Sequence, residues 1–160
     1  MSTAEGEVTG HRNGKVTNDP SPVALVRQFL NLLAAGDLDA AVGLLATDVD
    51  YINVSMPTIH GRERVRKVLG AAMGISSAGF EVYFHSISAE DDVVLTERTD
   101  VLILGPFRAQ FWVCGRFDVR GGEIVVWKDY FDWMNVTMAM VRGLAGALIP
   151  ALRAKPPLTA

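Results

Sequence analysis

Residues 93–104 (Val-Val-Leu-Thr-Glu-Arg-Thr-Asp-Val-Leu-Ile-Leu) and 123–133 (Glu-Ile-Val-Val-Trp-Lys-Asp-Tyr-Phe-Asp-Trp) have the composition of two β-strands. Side chains alternate between the two faces of a strand, so Arg98 and Asp100 point the same way along the first segment. If that face and the face carrying Asp129 are the same buried face, one pocket contains a guanidinium and two carboxylates. Charged groups are rarely buried unless they are paired, so these two segments carry the chemistry of the chain.

The same period-two pattern extends to both sides and predicts a sheet. Four consecutive strands are predicted, over residues 80–88, 93–104, 107–119 and 123–133. Short turns separate them, so they should form an antiparallel meander. A further short strand is predicted over residues 47–54.

Helical spacing of apolar residues marks the rest of the chain. Helices are predicted over residues 22–35, from residue 38 to residue 45, after Gly61, and from residue 135 to residue 152. Helices that precede a run of strands predict an α+β domain in which the helices cover one face of the sheet. Residues 1–20 are polar and without periodicity, so we interpret them as a disordered tail before a single domain over 21–155.

Composition excludes several classes of function. The net charge of −3 provides no basic surface for nucleic acid. Cys114 is the single cysteine, which leaves no internal disulfide and no cysteine-based metal cluster. No apolar run has the length of a membrane span, and the N-terminus lacks a secretory signal. We therefore predict a soluble cytoplasmic protein.

The charged set Arg98, Asp100 and Asp129 allows two interpretations. Buried charges most often form a structural ion-pair network. Two carboxylates for one arginine, however, cannot both ionise easily, so their pKa values separate and they can act as a general acid and a general base. Tyr51 and Asn53 also lie two residues apart on a strand, where they can hold a water molecule or simply satisfy each other inside a core.

Apolar strand residues on the same face would line a substrate pocket or form part of an ordinary core. They are Leu102, Phe111, Val113, Trp127 and Phe131. No spacing of His, Cys, Asp or Glu indicates a metal ligand set, and no glycine-rich phosphate loop or nucleophile elbow is present. We therefore predict no metal and no cofactor.

Five sequence pieces in order resemble the limonene-1,2-epoxide hydrolase family, whose cone-shaped fold is similar to nuclear transport factor 2. They are Tyr-Ile-Asn (51–53), Gly-Arg (61–62), Phe-His (84–85), Thr-Glu-Arg-Thr-Asp-Val-Leu (96–102) and Trp-Lys-Asp-Tyr-Phe-Asp (127–132). The resemblance covers residues 22 to about 140. It implies a curved mixed, mainly antiparallel sheet that forms a cone, covered on its concave face by N-terminal helices and closed by a C-terminal helix.

The resemblance also implies a function, the cofactor-independent hydrolysis of an epoxide to a vicinal diol in one step. Asp129 resembles the base that deprotonates water, and Tyr51 and Asn53 resemble the residues that help to hold that water. Asp100 resembles the acid that protonates the epoxide oxygen, and Arg98 resembles the bridge between the two acids. The methionine- and leucine-rich C-terminal segment suggests a lipophilic epoxide and a helix that closes the pocket mouth.

Two other functions remain open on this sequence. A steroid isomerase or polyketide cyclase also pairs a carboxylate with a hydrogen-bonding pocket, and a non-catalytic lipid-binding domain could share the fold. Outward-facing apolar residues on the strands, namely Trp112, Cys114, Val126 and Tyr130, predict a homodimer built through the convex face of the sheet.

Overall fold

The computed structural model describes residues 21–157, so the predicted tail over 1–20 lies outside the described residues. The strands are β1 (Leu45–Asn53), β2 (Ile59–His60), β3 (Ala78–Glu90), β4 (Val93–Leu104), β5 (Phe107–Arg120) and β6 (Glu123–Phe131). The helices are α1 (Pro22–Ala34), α2 (Leu38–Gly43), α3 (Arg62–Met73) and α4 (Trp133–Leu148), followed by a 3₁₀ turn at Pro150–Leu152. The α+β class predicted from the sequence is therefore confirmed.

One mixed sheet of six strands runs in the order β2-β1-β6-β5-β4-β3. The last four strands form the predicted antiparallel meander, and β1 joins it by running parallel to β6. The sheet does not close on itself within residues 21–157. The sequence did not indicate β2, because two residues are too few to show alternation.

The first three helices cover one face of the sheet. Helix α1 begins at Ser21, whose side chain accepts a hydrogen bond from Ala24 N, with Pro22 in the first turn where its missing N–H costs nothing. The buried apolar side chains of α1 pack on the side chains of the strands that face the helices. The ring of Phe29 contacts that of Trp127 edge-to-face, with ring centroids 4.9 Å apart. This apolar layer covers the concave face, as the sequence predicted.

Strand β6 ends at Phe131, two residues earlier than predicted. Asp132 stops it by capping α4, because its Oδ1 accepts hydrogen bonds from Met134 N (2.9 Å) and Asn135 N (3.2 Å). The predicted start of the last helix at residue 135 is therefore corrected to Trp133.

Helix α4 continues where β6 stops and lies along the free part of β5. The β6 pairing ends at Val113, and Trp112 N donates instead to Asn135 Oδ1 at 2.9 Å. Gly143 comes so close to this strand that an added Cβ would lie 2.7 Å from Arg108 O. The helix therefore covers a strand edge that would otherwise be unpaired. No helix in the described part of the chain is long and apolar enough to cross a membrane.

Candidate active site

Arg98 bridges two buried carboxylates on the concave face of the sheet. Its Nε donates to Asp100 Oδ1 at 2.9 Å and to Oδ2 at 3.2 Å, and its Nη2 donates to Asp129 Oδ1 at 2.8 Å. The three side chains are 0%, 5% and 3% exposed, respectively. The alternation of residues along β4 and β6 therefore predicted their common face correctly.

A glycine and a threonine make room for this guanidinium. Arg98 Nη1 donates to Thr96 Oγ1 at 3.0 Å. A Cβ added to Gly115 would overlap both Arg98 Nη1 and Thr96 Oγ1. Sequence reasoning missed both residues, although a lone glycine inside a strand pattern is the usual signal for the close approach of another group.

The parallel pairing of β1 with β6 places the tyrosine and the asparagine next to the second carboxylate. Tyr51 is in register with Trp127 and Asn53 with Asp129. The rings of Tyr51 and Trp127 stack with centroids 4.0 Å apart, and Trp127 Nε1 donates to Asp129 Oδ2 at 2.9 Å. The structure therefore brings the five predicted catalytic residues into one site: Arg98, Asp100, Asp129, Tyr51 and Asn53.

The two carboxylates have different surroundings. Burial raises the pKa of Asp100 to about 6 against the opposing effect of Arg98, and the charge of Asp129 adds to the rise. Burial also raises the pKa of Asp129, but Arg98 and the Trp127 indole oppose the rise by hydrogen bonding to its carboxylate. Both carboxyl groups therefore have raised pKa values, and they differ in that Asp129 accepts from two different residues and Asp100 from one.

Arg98 and Tyr51 both keep their protons. Burial lowers the pKa of Arg98, but the two adjacent carboxylates raise it by more than burial lowers it. The guanidinium therefore stays charged. Burial and the nearby Asp129 carboxylate raise the pKa of Tyr51 to about 12, partly offset by its hydrogen bond with Asn53. The Tyr51 hydroxyl is therefore a hydrogen-bond donor at neutral pH.

A cavity of about 440 Å³ opens onto both carboxylates. Asp100, Asp129 and Tyr51 are the polar side chains in its lining, and the remaining lining residues are apolar. Four of the five predicted pocket residues line it, namely Leu102, Phe111, Trp127 and Phe131. A cavity of this kind suits a lipophilic ligand with a polar group at the carboxylate end.

The fifth predicted pocket residue, Val113, lies elsewhere. It is fully buried in an apolar cluster with Ala109, Phe111 and Ala139, and it is not part of the cavity lining. Strand alternation predicted its face correctly but could not predict that α4 would cover it. Asn53 is half-buried beside Asp129 and also lies outside the cavity lining.

One side of the cavity was not predicted as pocket. Residues of α3 and of the segment after it contribute to the lining, including Leu69, Ala72, Met73 and Ile75. The apolar stripe of α3 was visible in the sequence but has the same pattern as a core stripe. No residue of α4 is in the cavity lining, and the prediction that the final helix closes the pocket mouth stays a prediction.

No metal site accompanies these groups within residues 21–157. Nowhere in that range do three or more His, Cys, Asp or Glu side chains come together in a way that could hold an ion.

Comparison with known proteins identifies the family. The model of the limonene-1,2-epoxide hydrolase catalytic domain matches residues 20–142. The chain belongs to the limonene-1,2-epoxide hydrolase family. It is 44% identical over 129 residues to the epoxide hydrolase EphG of Mycobacterium tuberculosis, covering 81% of this chain and 85% of that relative.

Solved structures agree with this assignment. An epoxide hydrolase of M. tuberculosis that is limonene-1,2-epoxide hydrolase-like superposes with a TM-score of 0.81 at 39% identity, covering 89% of this chain and all of that one. A protein of Cytophaga hutchinsonii that is similar to nuclear transport factor 2 matches with a TM-score of 0.58 at 19% identity, covering 74% of this chain and 95% of that one, and supports the fold alone. The protein is thus an enzyme, an epoxide hydrolase, and the family predicted from its motifs is confirmed.

Proposed function

We propose that this epoxide hydrolase converts a lipophilic epoxide to a vicinal diol by direct attack of water. The observation that carries the proposal is the position of Asp100 and Asp129, joined by Arg98, in the wall of an otherwise largely apolar cavity. A largely apolar cavity of about 440 Å³ can accommodate a large, lipophilic substrate. Within it the strained ring can meet both carboxyl groups at once.

In the proposed reaction Asp129 is the general base. It takes a proton from water while the water oxygen forms a bond to one epoxide carbon. Tyr51 and Asn53, which lie beside Asp129 across the β1–β6 pairing, hold and orient that water. The ionised form of Asp129 is favoured by the two donors on its oxygens, Arg98 Nη2 and Trp127 Nε1.

Asp100 is the general acid in the same step. The bond from the attacked carbon to the epoxide oxygen breaks, and Asp100 gives its proton to that oxygen, so that no free alkoxide has to leave. The pKa of about 6 keeps a useful share of Asp100 protonated near neutrality. Arg98 stays charged throughout and holds both carboxyl groups in place. Transfer of the proton from Asp129 to solvent, and of another to Asp100, restores the enzyme.

A single turnover in oxygen-18 water tests this mechanism. The substrate is first chosen by screening terpene, fatty-acid and sterol epoxides for diol formation, and the enzyme is then used in excess. Direct attack places the heavy oxygen in the first diol formed, whereas a covalent aspartyl ester would deliver unlabelled oxygen from the protein. An unlabelled first diol would therefore disprove the proposal.

Substitutions provide the second arm of this test. Asp129→Asn and Asp100→Asn should each lower kcat by about 100- to 10,000-fold, because each removes one proton-transfer group. Asp118→Asn is the matched control, since that carboxylate is paired with Arg116 at the surface of β5. Turnover in Asp129→Asn equal to that of the control would show that Asp129 is not the base.

A further inference from the structure

Helix α4 is apolar on its outward side as well as on its inward side. Small residues face β5, and the buried ones are Ala139, Gly143 and Gly146. Large residues on the other side are exposed: Met134 is 71% exposed, Met138 59%, Val141 59%, Leu144 60% and Leu148 77%. A helix that is apolar all round is normally buried, so this outward face calls for a partner.

Apart from Asp132, which caps the N-terminal end of α4, the charges of this helix and of the segment after it are positive. From Trp133 to Pro157 the chain contains Arg142, Arg153 and Lys155 and no Asp or Glu, although the whole chain has a net charge of −3. These three cations line an open cleft of about 530 Å³ between α4 and the segment after it. The apolar face is therefore bordered by positive charge on an otherwise acidic protein.

The same helix lies close to the substrate cavity. Phe111 and Phe131 line the cavity and also belong to the apolar cluster that contains Val136 and Ala139 of α4. Side chains that line the cavity therefore belong to the cluster that also contains side chains of α4.

We propose that α4 and the segment after it bind the surface of a membrane that contains anionic lipids. The helix lies in the plane of the interface, with its exposed Met, Val and Leu side chains among the acyl chains near the headgroups. Arg142, Arg153 and Lys155 contact the lipid phosphates. At 16 residues α4 is too short to span the bilayer, which agrees with the lack of a membrane-spanning helix in the described residues.

A second copy of the chain fits this face less well. In a two-fold symmetric dimer each face meets its own copy, so the cations of one segment would approach those of the other. The carboxylate at α4, that of Asp132, lies at the N-terminal end of the helix, ten residues before Arg142. Anionic lipid supplies the complementary charge across the whole surface.

Binding of the full-length protein to vesicles tests the proposal without any epoxide, so its result does not depend on the proposed mechanism. The probes are phosphatidylcholine vesicles with and without phosphatidylglycerol, measured by co-sedimentation. We expect binding to the anionic vesicles that weakens with salt, and a blue shift of tryptophan emission. The double variant Arg142→Gln with Lys155→Gln should weaken binding by more than about tenfold, because each cation contributes roughly fivefold to the affinity for an anionic membrane. Val141→Asn with Leu148→Asn should abolish it.

Matched controls carry the same chemical changes elsewhere on the surface. Met56→Asn with Val68→Asn removes apolar side chains that are 54% and 47% exposed, and Arg64→Gln with Lys67→Gln removes two exposed cations of α3. Both controls should bind vesicles like the parent protein. No binding to anionic vesicles, or equal loss in the controls, would overturn the proposal. One further result would overturn it. If the protein did not bind vesicles but formed an oligomer, and the double variant Val141→Asn with Leu148→Asn dissociated that oligomer, the face would be an interface between copies.

Discussion

At the scale of single residues, Asp100 sets the expected response of the enzyme to pH. A general acid must carry its proton, and the pKa of Asp100 is about 6. As the pH rises through that value the protonated fraction falls, so kcat/KM should drop by about tenfold per pH unit above it. At the acid end activity should fall again as Asp129 takes up a proton. Initial rates, measured over the whole pH range in which the protein stays folded, give both limbs of the pH profile.

The control for this pH profile is Asp118→Asn, which removes a half-buried carboxylate that is paired with Arg116 outside the site. It should leave both limbs unchanged. A flat profile from acid to neutral pH, or one whose alkaline limb moves with Asp118, would contradict the assignment of Asp100 as the acid.

Single residues also show what the sequence could and could not predict. Alternation along β4 and β6 placed Arg98, Asp100 and Asp129 on one face correctly, because strand periodicity is a local property. It could not indicate that Gly115 leaves the space for Arg98, since that depends on the register between β5 and β4. Nor could it separate Val113, which is sealed in the core, from Phe111, which lines the cavity on the same strand and face.

At the scale of elements, the contact between α4 and β5 depends on Gly143. Gly143→Ala would place a Cβ 2.7 Å from Arg108 O and 2.9 Å from Phe107 Cε2. The first neighbour is backbone and cannot move aside, so we expect a loss of about 1–3 kcal/mol in the free energy of unfolding. Denaturant unfolding followed by circular dichroism measures the change.

Gly70→Ala in α3 is the matched control for that substitution. Its added Cβ meets only the end of the Leu38 side chain, at 3.4 Å. Because alanine is a better helix former than glycine, this variant should gain about 0.5–1 kcal/mol. If Gly143→Ala were equally stabilising, α4 would not be held against β5 in the way described.

Element boundaries were predicted well where a turn or cap has a local signal. Strand β4 has the predicted bounds, and α1 begins at the predicted Ser21-Pro22. The errors arose where tertiary contacts decide: β6 gives way to α4 at Asp132, and β2 exists only because β1 offers it a partner. The close packing of α4 on β5 is a tertiary contact that no helical pattern reveals.

At the scale of the whole molecule, we predict a homodimer formed through the convex face of the sheet. Trp112 and Tyr130 are 40% and 41% exposed there, and Cys114 and Val126 are half-buried. Paired apolar side chains of this size commonly mark an interface. Sedimentation equilibrium at micromolar concentration should give twice the chain mass.

Tyr130→Asp should shift this equilibrium toward the monomer, because it places a charge in the centre of the proposed interface. Met56→Asn changes a residue of similar exposure in the loop after β1 and should leave the dimer intact. A parent protein that sediments as a monomer would refute the prediction.

The place of β6 as the last strand in the chain also gives the active site an order of assembly in time. During synthesis Arg98 and Asp100 leave the ribosome before Asp129, so the nascent arginine has only one of its two carboxylates. Tyr51 and Asn53 emerge earlier still, yet the strand that aligns them with Asp129 emerges last of all. Because such distant pairings form late, a chain that stops short of β6 has most of the strands but lacks the second of the two buried carboxylates. The proposed catalytic set is therefore complete only once β6 has been synthesised.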